Sequence, residues 1–191
     1  MDVVAYTGNG SVQYVSHSLG VLTEIIIVKN RSASADWFTV VQGYRGFLNL
    51  SSAMGNDGWS HNATNLGFGN AATVNAAGNN YVAYLFATLA GVSKVGNYTG
   101  TGADLNVDCG FSAGARFILI KRTDSTGDWY VWDSVRGVIA GNDPYLRLNS
   151  TAAEVTNTDY IDPLASGFTV TSSAPAALNA SGGSYIFLAI A

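Results

Sequence analysis

Charge is scarce in this chain. Lys, Arg, Asp and Glu make up 12% of its 191 residues, about half the ~25% of an average soluble domain. Nine basic residues against thirteen acidic ones give a formal charge of −4. They form no basic stripe of the kind that neutralises phosphates, so nucleic acid is not an expected partner. The single cysteine, Cys109, leaves no internal disulfide, and the fold has to hold without covalent staples. Cys109 itself reads as a small buried hydrophobe. No run of eighteen apolar residues occurs, and the opening MDVVAYTGNG lacks the basic and apolar regions of an export signal, so neither membrane insertion nor signal-directed export is expected. The two histidines, His17 and His61, have no Cys partner and no helical spacing, so the expectation is no metal and no cofactor.

What is abundant is glycine, 22 residues of it, set among Asn, Ser and Thr, with 48% hydrophobic residues between. That profile fits many short strands joined by polar turns. The patterns alternate with period two or form short solid apolar runs, and none sustains the 3.6-residue period of a helix. In the second half, strands are predicted near 95–99, 104–109, 116–122, 128–133, 145–149, 167–172 and 184–191. Thr151-Ala-Ala-Glu154 fits a capping box, but the β-branched, polar residues after it predict a turn leading into an irregular strand.

The chain also repeats itself. KNRSASADWF at 29–38 is echoed by KRTDSTGDWY at 121–130, 92 residues on, and YTGNG at 6–10 by YTGTG at 98–102. EIIIVK (24–29) matches RFILIK (116–121), FLNLSS (47–52) pairs with YLRLNS (145–150), GF recurs at 67 and 167, and NAAGNNYVAYLFA (75–87) aligns with NASGGSYIFLAIA (179–191). The expected organisation is a tandem duplication, residues 1–90 and 91–191, of antiparallel β-sandwiches of jelly-roll or Ig-like type. Trp37 and Trp129 are then matching anchors at the start of a core strand.

Few motifs point to catalysis. Gly110-Phe-Ser-Ala-Gly114 has the form of a nucleophile elbow, but a strand is predicted after it where that motif needs a helix. Asp124, Asp128, Asp143, Asp159 and Asp162 are numerous enough to suggest a carboxylate pair or a calcium site, yet most stand among turn residues, where Asp is common for its own hydrogen bonding. No catalytic residue is expected.

The string YTGNGSVQYVSHSLGV, IIVKNR, DW and NNYVAYLFA, continued by YTGTG, VDCGFSAGARFILIKRTDSTGDWYVWDS and NSTAAEVTNTDYIDPL, resembles a tandem β-rich domain of unassigned function from virion and tail-fibre proteins of tailed bacteriophages, cyanophages especially. The resemblance implies a non-enzymatic virion protein, assembled in the host cytoplasm, whose partners are other virion proteins and a host-surface glycan or protein. A tail-fibre-associated module that aids attachment is the leading expectation. A capsid decoration or cement protein is the alternative, and a glycan-degrading tailspike-type enzyme the third. Trp59, Trp132, Tyr145 and Tyr160, which lie beside loops, are the candidate contacts, because aromatic faces stack on sugar rings. IIIV (25–28), YVAYLFA (81–87), FILI (117–120) and YIFLAIA (185–191) are apolar on both faces, and the last runs to the end of the sequence. An oligomer is therefore expected, a trimer slightly favoured, with Tyr84, Phe86, Tyr185 and Phe187 as interface candidates.

Overall fold

The computed structural model describes residues 1–56 and 60–191. The chain forms two compact units, one of Met1–Leu48 with Gly55–Ala87, the other of Asn49–Met54 with Thr88–Ala191. Both are all-β, and every strand pair is antiparallel.

Unit 1 contains β1 (Asp2–Thr7), β2 (Gln13–Ser16), β3 (Ile25–Asn30), β4 (Phe38–Val41), β5 (Tyr44–Phe47), β6 (Gly55–Asn56), β7 (Asn65–Phe68), the one-turn helix α1 (Ala72–Asn75) and β8 (Asn80–Phe86). Six strands make one sheet in the order β1-β8-β3-β4-β5-β6, and β2 pairs with β7. Period-two alternation supplies the inner faces. Ile26, Val28, Val40, Ala83 and Leu85 of the large sheet meet Leu66 and Phe68 of β7 and Val74 of α1.

Unit 2 contains β9 (Ser93–Thr99), β10 (Leu105–Asp108), β11 (Phe117–Arg122), β12 (Trp129–Asp133), β13 (Leu146–Arg147), β14 (Ile161–Leu164), β15 (Gly167–Val170), the short helix α2 (Ala176–Asn179) and β16 (Ser184–Ile190). Its sheets run β13-β12-β11-β16-β9 and β10-β15-β14. Ile118, Ile120, Trp132, Tyr185 and Phe187 face Val107, Ile161, Phe168 and Val170 in one core. Burying each such side chain contributes about 1.5–3 kcal/mol.

The strands predicted from 95 to 191 are all found, with ends moved by a few residues. The irregular strand expected after Glu154 is β14, with Pro163 inside it. The two helices escaped the sequence reading because each is a single turn.

Hydrogen-bond register within each unit gives equivalent positions and corrects two of the sequence pairings. Phe38 stands opposite Phe47, and its counterpart Tyr130 stands opposite Arg147. Leu48 N–H donates to the Trp37 carbonyl and Leu148 N–H to the Trp129 carbonyl, both at 2.9 Å. Residues 47–54 therefore match 147–154, whereas the sequence pairing of 47–52 with 145–150 lies two residues off. Likewise Val15 faces Leu66 and Val107 faces Phe168, so the recurrence of GF at 67 and 167 does not mark matching positions.

The interface candidates also need correction. Tyr185 and Phe187 are 1% and 3% exposed because they fill the core of their own unit, Phe187 meeting Phe168 edge-on at 5.4 Å. They are not free to bind a second subunit. The other face of the same strands, with Leu119, Val131, Ile186 and Leu188, is buried as well. Tyr84 and Phe86 differ, being half-buried.

Candidate functional site

The repeated Lys…Asp-Trp stretch closes a hairpin with a cation. Lys121 is the last but one residue of β11 and Trp129 opens β12, paired directly across the strands. The Lys121 ammonium donates to the carbonyl of Gly127 and to that of Ser51 at 3.0 Å, and stands 5.8 Å from the centre of the Trp129 ring. Lys121 is 1% exposed. Burial pushes its pKa down to about 8, against the opposing pull of Asp128. In unit 1, Lys29 donates to the carbonyl of Ala35 and lies 5.4 Å from the Trp37 ring centre. There, however, both Lys29 and Trp37 are only half-buried.

The difference comes from Asn49–Met54, which belongs to unit 2. The Ser51 carbonyl also accepts the Gly127 N–H at 2.9 Å, and Met54 N–H donates to the Thr123 carbonyl at 3.1 Å. Met54 is buried.

A second shared device ties down the loops. In unit 2 the buried amide of Asn179 accepts the N–H groups of Thr101 (2.9 Å) and Gly102 (3.2 Å) and donates to the carbonyls of Ala103 and Thr171. All four bonding positions of the amide are thus used. Asn75 does comparable work in unit 1, bonding Asn9, Gln13, Ser11 and Gly69. The hydroxyls of Tyr81 and Tyr185 donate to the carbonyls of Ala72 and Ala176 while accepting the N–H groups of Ala76 and Ala180. The recurrence of Asn-Ala ahead of an aromatic strand, at 75 and 179, was the available signal for these residues.

A polar depression of about 320 Å³ opens in unit 1, lined chiefly by Tyr6, Thr7, Arg31, Ser32, Asn80 and Tyr81. Asn80 organises it: its N–H donates to Ser32 Oγ at 2.8 Å, its Oδ1 accepts the Thr7 hydroxyl at 3.0 Å, and its carbonyl accepts the Arg31 N–H at 2.8 Å. Arg31 is exposed at the rim. Nothing in the sequence singled it out.

The proposed glycan contacts are placed otherwise. Trp59 lies outside the described residues. Trp132, Tyr145 and Tyr160 do come together, but inside unit 2. Trp132 is 0% and Tyr145 9% exposed, with ring centres 5.7 Å apart, and Tyr160 lies 5.8 Å from Tyr145. A sugar cannot reach the faces of the two buried rings. The Trp132 indole N–H donates to the Asp143 carbonyl at 3.2 Å, which draws the loop over the ring. The Asp143 carboxylate, also buried, accepts the N–H groups of Tyr160 (2.8 Å) and Ile161 (3.1 Å). Burial outweighs those bonds and pushes its pKa up to about 6.

Two of the remaining acids are ion-paired, whereas Asp162 has one buried carboxylate oxygen with no hydrogen-bond partner among the described residues. Asp124 pairs with Arg122 at 2.8 Å and Asp128 with Arg147 at 3.0 Å. Burial pushes the Cys109 thiol up to about 11, far from the thiolate form that attacks or binds metals. Ser112 sits in the loop between β10 and β11, and a strand follows it. Among the described residues no group of three His, Cys, Asp or Glu could hold a metal ion, and no helix is long and apolar enough to cross a membrane.

No curated protein and no solved structure matches this chain. One family profile matches it over residues 1–191, described as a domain of unknown function, DUF7483. With both units inside that match, the chain belongs to the DUF7483 family.

Proposed function

We propose that the chain is a non-enzymatic structural module of a bacteriophage virion, associated with a tail fibre and contributing to attachment at the host surface. The observation that carries this reading is where the polar side chains are spent. Asn75, Asn179 and Asp143, with Lys121, are committed to backbone groups of their own unit, so loops that would have to move around a reacting substrate are tied down. A scaffold of this kind presents a fixed surface, and pre-formed surfaces bind without an ordering cost. The depression around Asn80 adds hydroxyl, amide and guanidinium groups of the type that hydrogen-bond sugar hydroxyls and carboxylates.

The test is binding of the purified protein to fractionated host-surface polysaccharide and to a glycan array, with adsorption competition on host cells. The expected result is specific binding that Asn80→Ala weakens without loss of fold. Binding to no host-surface fraction overturns the attachment role. Capsid decoration is the second reading, favoured by the half-buried Ile27, Tyr84 and Phe86 on one sheet face of unit 1. Quantitative mass spectrometry of purified virions separates the two, since decoration requires many copies and attachment few.

A further inference from the structure

The two Lys–Trp hairpins have the same internal bonds but different coverings. In unit 2 three backbone bonds seat residues 51–54: Lys121 ammonium to Ser51 carbonyl, Gly127 N–H to Ser51 carbonyl, and Met54 N–H to Thr123 carbonyl. The matching groups of unit 1 are the Lys29 ammonium, the Ala35 N–H and the Arg31 carbonyl. Among the described residues the Lys29 ammonium has one hydrogen-bond acceptor, the Ala35 carbonyl. Among the described residues nothing accepts the Ala35 N–H or donates to the Arg31 carbonyl. The surrounding positions are correspondingly less covered: Lys29, Val82 and Tyr84 are half-buried, where Lys121, Ile186 and Leu188 are 1–4% exposed.

The segment that would fill this groove is also present on the chain. By register, 51–54 matches 151–154, Ser-Ser-Ala-Met against Thr-Ala-Ala-Glu. All four residues of the second segment are exposed, and among the described residues nothing donates to the Thr151 carbonyl or accepts the Glu154 N–H.

We infer that residues 151–154 of one copy of this chain dock on the Lys29–Trp37 hairpin of a second copy, joining subunits head to tail. The Thr151 carbonyl takes the Lys29 ammonium and the Ala35 N–H, and the Glu154 N–H takes the Arg31 carbonyl. The side chains that differ between the two settings change together. The neutral pair Met54 and Thr123 of unit 2 is replaced by Glu154 and Arg31, an acid meeting a base across the contact. An interface of this kind joins two different surfaces, so it generates rings or filaments.

Sedimentation velocity over a range extending to high micromolar concentration tests it. The wild type is expected to associate reversibly. Arg31→Glu and Glu154→Arg, both at exposed positions, are each expected to weaken association about fivefold with unchanged circular dichroism; Glu154 also lies 3.6 Å from Arg136, so the unchanged unfolding midpoint is required of Arg31→Glu alone. The double variant, with the charges exchanged, is expected to recover it. A wild type that stays monomeric throughout overturns the inference. So does association indifferent to either single variant, and so does a double variant no better than the singles.

Discussion

Tyr98 lies stacked on Tyr185, ring centres 4.8 Å apart and planes 13° from parallel. The two hydroxyls reach opposite ends of α2: Tyr98 donates to the Leu178 carbonyl at 2.7 Å and Tyr185 to that of Ala176 at 2.6 Å. Tyr6 and Tyr81 repeat the stack in unit 1 at 5.1 Å and 13°. A single-turn helix has little stability of its own, so this pair of rings is what fixes it to the sheet.

Tyr185→Phe keeps the stack and removes the hydroxyl. The Ala180 N–H then loses its acceptor, while the Ala176 carbonyl keeps Arg122 as its donor. The expected cost is about 1–3 kcal/mol, measured by urea unfolding. A variant as stable as wild type would show that the loop re-bonds without the hydroxyl.

Gly100 stands within the recurring Tyr-Thr-Gly, and the glycine there has a steric cause. A Cβ there would lie 2.3 Å from the Ala180 carbonyl oxygen and 2.9 Å from the Tyr185 ring. Gly8 is in the same position against Ala76. Gly100→Ala should cost about 1–3 kcal/mol or more, read as a lowered thermal midpoint. An unchanged midpoint would mean that the α2 loop shifts freely.

Asp143 sets a pH dependence. Its pKa is raised from 3.8 to about 6 in the folded chain, so the native state holds the proton more tightly than the unfolded state. Its contribution to stability is therefore fully present below pH 3.8 and is lost as pH rises through about 6. The size is on the order of 1–3 kcal/mol. Unfolding free energies measured across this window should slope downward with rising pH, and Asp143→Asn should flatten that part of the slope. A slope unaltered in the variant assigns it to other carboxyls.

Lys121 acts in the alkaline range. Its folded pKa is lowered from 10.5 to about 8, so the unfolded chain binds the proton more tightly there. Stability from this group is present above pH 10.5 and is lost as pH falls through about 8. Lys121→Met should remove the rise in urea midpoint between these limits. Persistence of the rise in the variant would place its source elsewhere.

The strands were legible because alternation and apolar runs are local. The register between the halves was not. Both mismatched pairings, 47–52 with 145–150 and 67 with 167, were off by two residues, and a slip of two keeps every side chain on its own face of the sheet. Hydrophobic pattern cannot detect such a slip; only backbone pairing can. Trp132 and Tyr145 appeared to flank a loop and therefore to face solvent. A single indole bond to the Asp143 carbonyl folds that loop inward, a contact between residues 11 positions apart that no periodicity encodes. The burial of Lys121 depends on Ser51, 70 residues earlier, and is equally invisible to a local reading.

The excursion of Asn49–Met54 into unit 2 also constrains the order in which a newly made chain can mature. These residues emerge during synthesis ahead of β11 and β12, whose ends they cover. Unit 1 can close its sheet around them, since strands β5 and β6 pair on either side, while the segment itself waits as an open polar bend. Met54 is its one large apolar side chain facing inward at the end, so little greasy surface is exposed during that delay. Completion of unit 2 is thus the step that locks the first half's loop in place, and a ribosome pausing before residue 130 would hold the chain with that latch undone.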